Sequence, residues 1–159
     1  MTAVSDTSPL NYLILIGCID LLPALYERVL VHDEVVAELT HADAPPAVRG
    51  WAIAPPPWVR VTPVETGVQQ LGSASLHRGE RACLALASQT AADVLLLDDY
   101  RARQAAKEQG IRVTGTLGVL CVAADMGLVD LRDAVTRLRS TSFHMSAELL
   151  RSLESRLRG

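Results

Sequence analysis

Lysine is nearly absent from this chain of 159 residues, with Lys107 its only example. The net charge of −3 gives no general attraction to nucleic acid, so a polyanionic substrate would need local arginines or a bound metal to offset acidic groups. There are three cysteines, Cys18, Cys83 and Cys121, each within an apolar helical stretch and none in CxxC spacing. That pattern predicts buried free thiols in a reducing compartment and disfavours disulfides and zinc. His32, His41, His77 and His144 are scattered without ligand spacing, and no serine sits in a GxSxG elbow. No apolar run approaches the roughly 20 residues of a membrane span. The start, "MTAVSDTSPL", lacks the positive region of a signal peptide, so a cytoplasmic location is expected. Internal repeats are absent, and the short proline clusters are the only biased tracts.

What is abundant is apolar surface: 49% of residues are hydrophobic and 21% charged, ample for the core of one domain spanning 1–159. Strand-like and helix-like stretches alternate along most of the chain. "TAVSD" reads as a short strand and "PLNYLILIG" as a helix opened by Pro9. "IDLLPALYE" is a further helical piece, "RVLV" a second strand, and "HDEVVAELT" a helix with acids in its first turn. Proline-rich "ADAPP" and "APPPW" bracket a helical "AVRGWAI", and "WVRVTPV" has the alternation of an edge strand. "ERACLALASQTA" has a broad apolar helical face, "YRARQAAKEQG" is a surface helix closed by Gly110, "IRVTG" a strand, and "TLGVLCVAADMG" a helix apolar nearly all round. This order predicts an α/β fold with a mostly parallel sheet. Two amphipathic helices at 131–158 follow, with Leu149, Leu150, Leu153 and Leu157 on one side, suited either to packing on their own domain or to a subunit or partner interface.

The chemistry is concentrated in carboxylates. In "ADVLLLDDYRAR" four apolar residues, Val94 to Leu97, run into Asp98 and Asp99. An unalternating apolar run suits a strand buried on both faces of a parallel sheet, whose carboxyl end opens where ligands of open α/β sheets sit. Asp6 ends the first strand and therefore falls on the same rim. Glu38 lies in "VVAEL" beside Val35, Val36 and Leu39, a position open to a half-buried or a solvated carboxylate. Glu80 opens the helix after Gly79, where the helix dipole alone would favour an acid. Carboxylates converging on one rim repel and raise each other's pKa unless a cation neutralises them. All-oxygen ligands suit Mg²⁺ or Mn²⁺, which activate water and stabilise a phosphoryl transition state. Phosphodiester hydrolysis is the reaction such a site serves best. Strand geometry leaves open which of Asp98 and Asp99 faces the crevice, since successive side chains point to opposite sides.

"VSDTSPLNYL", "VHDEVVAEL", "RGERACLALA", "VLLLDDYRARQAA" and "VTGTLGVL" together resemble, in order and spacing over about residues 3 to 125, the motifs of PIN-domain nucleases, and among them a prokaryotic group akin to VapC-type toxins. The resemblance implies a three-layer α/β/α fold and an Mg²⁺- or Mn²⁺-dependent endoribonuclease acting on RNA. It also implies a homodimer and a small antitoxin as partner. It would make Asp6, Glu38, Glu80 and Asp99 the catalytic acids, with Asp6, Glu80 and Asp99 on the metal, and Ser8 and Thr116 supporting hydroxyls. Asp98 would then be left to hydrogen-bond backbone amides or an arginine near the start of the next helix. Arg78, Arg81, Arg101 and Arg103 flank Glu80 and Asp99 in sequence and would place phosphates, unless they are simply solvated helix charges. The chain departs from the pattern in carrying Glu80 where many such nucleases have Asp, and Leu97 where a Thr commonly precedes the last acid by two, which implies a wider or weaker site.

Two rival classes compete with this reading. A receiver-like or dehalogenase-like phosphotransfer domain also gathers Asp at strand ends, but it needs a lysine or arginine after a late strand, and Lys107 falls in mid-helix. A catalytically silent PIN-like scaffold, binding RNA or protein, would have no reason to keep mutually repulsive acids.

Overall fold

The computed structural model describes residues 1–64 and 76–158. Five parallel strands, β1 (Thr2–Ser5), β2 (Arg28–Val31), β3 (Val59–Val61), β4 (Val94–Leu96) and β5 (Val113–Thr114), lie in the order β3-β2-β1-β4-β5. The central pair is set by Val4 opposite Leu95 and Ser5 opposite Leu96. Ala3, Val4, Ser5, Leu95 and Leu96 are completely buried, as a strand covered on both faces requires. β3 forms one edge, as expected of "WVRVTPV", and there the successive residues Arg60 and Val61 both reach solvent. At the other edge, only Val113 and Thr114 of "IRVTG" pair with β4.

Helices α1 (Thr7–Leu15) and α2 (Leu21–Leu25) carry the chain from β1 to β2, and α3 (Asp33–Leu39) and α4 (Pro46–Ile53) from β2 to β3. Helix α5 (Arg78–Gln89) leads into β4, α6 (Tyr100–Glu108) joins β4 to β5, and α7 (Thr116–Asp125), α8 (Leu131–Arg139) and α9 (Ala147–Arg158) follow. From the central pair the chain moves one way through β2 and β3 and the other way through β5. Right-handed crossovers then put α1 to α4 on one face and α5 and α6 on the opposite one, giving three layers. Leu10 and Leu13 of α1, Leu84 and Leu86 of α5, and Leu95 to Leu97 are buried to less than 2% exposure. At roughly 1.5 to 3 kcal/mol for each fully buried leucine, these layers hold the two central strands firmly in place.

The reversal of direction between β1 and β4 leaves a crevice at their carboxyl ends, where ligands bind in open α/β sheets. The tail closes back on the fold: Ala134, Val135 and Leu138 of α8 and Leu153 of α9 are buried, Leu157 packs against the core, and Leu149 stays 39% exposed. Cys18 and Cys83 are buried free thiols, as expected, whereas the free thiol of Cys121 is only half-buried. Among the described residues, no helix is long and apolar enough to cross a membrane.

Candidate active site

The crevice is floored by Asp6. The ladder continues one residue beyond β1, because the Asp6 N–H donates to the Leu96 carbonyl at 3.0 Å, and this fixes the residue at the rim before α1 begins. Asp6 holds the N-cap position of α1, yet its side chain makes no capping hydrogen bond. It is 7% exposed, and the Cys83 thiol approaches its Oδ1 at 3.6 Å from α5. Burial pushes its carboxyl up to about 6; the Thr7 amide opposes the shift, and the charges of Glu80 and Glu38 add to it.

Glu38 and Glu80 reach this floor from α3 and α5. The Thr7 hydroxyl donates to Glu38 Oε2 at 2.6 Å, and His77 Nδ1 stands 3.6 Å from Glu38 Oε1. Gly79 makes the approach possible: a Cβ there would fall 2.5 Å from Glu38 Oε1 and 3.8 Å from Asp6 Oδ1. Glu80 Oε1 accepts from the His77 amide at 3.0 Å, tying the first turn of α5. Burial raises the Glu80 carboxyl, and the neighbouring charge of Asp99 raises it further against the His77 hydrogen bond. Asp6, Glu38, Glu80 and Asp99 thus form a chain of mutually repelling neighbours. Thr7, His77 and Gly79 escaped the reading of the sequence. Their signals, a hydroxyl next to Asp6 and the "HRGE" start of α5, become meaningful only once α3 and α5 meet.

Asp98 and Asp99 separate by turning to different helices. β4 ends at Leu96, though Leu97 still donates to the Thr114 carbonyl at 2.8 Å, so both acids lie past the strand itself. Asp99 caps α6, accepting from the Ala102 amide at 3.0 Å, while also facing Glu80. Asp98 takes the Thr116 amide and hydroxyl, each at 2.7 Å. Burial raises its carboxyl, opposed by those two hydrogen bonds and by the charge of Arg103. Asp98 thus takes a backbone amide and faces Arg103 of α6, but that amide lies at the start of α7, and it is Asp99 that caps α6. Gly115 permits this, since a Cβ would meet Asp98 Oδ1 at 2.7 Å and Arg103 Nη1 at 3.2 Å. The Thr116 hydroxyl supports Asp98, and Ser8 shares a cavity wall with Asp98 and Asp99.

Of the four arginines, Arg103 stands against a rim carboxylate, through Asp98. Arg78 is 80% exposed and pairs with Glu34 at 3.7 Å, and Arg81 lines a separate pocket with His32 and Glu34. Arg101 is exposed on α6. In the loop "GSASLHRG", expected to contribute specificity, residues 72–75 lie outside the described residues. Among the described residues, no three His, Cys, Asp or Glu side chains are grouped closely enough to hold an ion by themselves. The donor chemistry still fits Mg²⁺ or Mn²⁺, because such hydrated ions are bound through one or two carboxylates and keep several waters. The floor supplies hard oxygen donors, and among the described residues no cationic side chain acts on the buried Asp6 carboxylate.

A protein-family model described as a PIN domain, DUF3368, matches residues 2–158. Among solved structures, the chain is similar to a PilT N-terminus domain protein from the hyperthermophilic archaeon Sulfolobus solfataricus P2. The TM-score is 0.52 at 13% identity, over 92% of this chain and all of that one, a likeness of fold. The search of curated proteins found no match.

Proposed function

The chain belongs to the PIN domain family, and from that premise we propose that it is an Mg²⁺- or Mn²⁺-dependent endoribonuclease. The observation that carries this reading is the convergence of Asp6, Glu38, Glu80 and Asp99 on the crevice between β1 and β4. Asp6, Glu80 and Asp99 would hold the ion, one or two of them directly and the rest through its waters, and when bound it would supply an activated water and neutralise charge on the phosphoryl group. Glu38, held by Thr7 and close to Gly79, would orient water and accept its proton. Asp98, fastened to Thr116, fixes the backbone of Asp99 and so aims its carboxylate. A silent scaffold would carry the same buried, repelling carboxylates at a cost to stability and with no use for them.

The resemblance extends the proposal to the toxin half of a toxin–antitoxin pair, acting as a homodimer and restrained by a small antitoxin. Purified protein should cleave RNA with Mn²⁺ or Mg²⁺ and stop on chelation, and Asp6→Asn should be inactive under the same conditions. Equal cleavage by Asp6→Asn would remove the acids from the chemistry. Normal growth of cells making soluble, active protein would end the toxin reading and leave the nuclease intact.

A further inference from the structure

A cavity of about 540 Å³ adjoins the acidic rim, between α7, the start of α1 and the C-terminal tail. It shares Ser8, Asp98 and Asp99 with the rim and carries Arg103, His144 and Arg156 together with the ring of Phe143. We propose that this groove seats one unpaired nucleotide of an RNA strand, beside the phosphate that is cleaved, with its phosphate toward the two arginines and its base toward Phe143. The inference rests on the nuclease reading and adds to it a place where the strand is gripped.

Size, charge and rigidity each favour that occupant. The volume lies within the roughly 300 to 1,000 Å³ of small-molecule sites, enough for a nucleotide and too small for a folded partner. In a chain with net charge −3, the groove places arginines beside the acidic rim, where a phosphate strand needs them. Among the described residues Arg156 pairs with Asp125 at 3.5 Å, in an exposed contact that contributes little and exchanges readily for phosphate. Phe143, the only phenylalanine in the chain, is braced by an edge contact with Tyr12 at 5.0 Å between ring centroids, and the Tyr12 hydroxyl bonds to Ser142 at 3.0 Å. A ring held this way is a preformed wall for a base, and base–aromatic contact needs a base free of its duplex. An apolar peptide would take Arg103, Arg156 and Asp99 out of water and offer them no charged group in exchange.

Adenosine 5′-monophosphate, titrated into the full chain and followed by amide NMR, should perturb Phe143, His144 and Ser152. Ser152→Trp, a bulky residue placed on the exposed side of α9 to fill the groove, should weaken that binding at least about tenfold, the scale of one lost stacked base. It should lose about tenfold more on RNA than on bis(p-nitrophenyl) phosphate, a substrate without a base. Arg156→Gln, which leaves the groove open, should weaken nucleotide binding and flatten its salt dependence. Nucleotide binding elsewhere, or RNA cleavage equal in parent and both variants, overturns the groove and leaves the nuclease standing. Nucleotide bound in the groove by a protein that hydrolyses neither phosphodiester keeps the groove and overturns the nuclease.

Discussion

Neutralising Asp6 while keeping its shape separates its effect on the fold from its part in the chemistry. The native carboxyl titrates at about 6, against 3.8 for an ordinary aspartate. Because the side chain is 7% exposed, solvent screens little of that difference. At 1.36 kcal/mol per pKa unit, the gap corresponds to about 3 kcal/mol. Between pH 3.8 and about 6 the native state binds the proton that the unfolded chain releases. The contribution is therefore fully present below 3.8, is lost as pH rises through 6, and is level above that. Asp6→Asn stays neutral throughout. Its stability should match the parent near pH 4 and exceed it by about 3 kcal/mol at pH 8, as read by urea unfolding in chelator. Adding Mn²⁺ should recover much of the gap in the parent and little in the variant, since only the parent keeps the full ligand set. The same variant should fail to cleave RNA. A stability difference that is flat from pH 4 to 8, or a variant less stable at pH 8, would refute the assignment of a costly buried charge to Asp6.

Asp99→Asn should lose most cleavage and Mn²⁺ affinity while melting near the parent, because Asn caps a helix about as well as Asp. Asp98→Asn should instead lower stability by ~0.5 to 2 kcal/mol by weakening its hold on Thr116; calorimetry and metal titration of both distinguish the pattern, and its reversal would transfer the ligand role to Asp98. Gly79→Ala should displace Glu38, whose Oε1 lies 2.5 Å from the added carbon, lowering kcat more than RNA binding in single-turnover assays. Replacing Arg101 and Arg103 together with Ala should weaken RNA binding and flatten its salt dependence, with Arg103, which faces Asp98, giving the larger single effect; an unchanged slope removes both from the RNA path.

The sheet was legible because burial on both faces leaves one kind of signature. "VLLL" and the "VLV" after Arg28 are unbroken apolar runs, and the helices between them show their own period. Strand lengths were less legible: "IRVTG" offers five residues, yet only Val113 and Thr114 meet β4, because pairing at an edge depends on how far the neighbouring strand extends. Asp6 and the Asp98–Asp99 pair could be placed on one rim from the parallel-sheet rule alone. Glu38 and Glu80 were marked by sequence, but the local pattern of each fits ordinary helix solvation as well. What distinguishes them is contact between α3 and α5, closed through Thr7, His77 and Gly79.

The division between Asp98 and Asp99 shows why neighbouring residues cannot be assigned from strand alternation by itself. Alternation requires that the two point apart, but it names neither destination, and both residues lie beyond the last residue of β4. The choice is made by Thr116, 18 residues onward, which offers Asp98 two donors at the start of α7. Once Asp98 is drawn there, Asp99 is left to start α6 and to turn its carboxylate toward Glu80. Gly115 leaves room for that reach and Arg103 balances the charge it buries, so the acid facing the crevice is selected by the residues that hold its neighbour away.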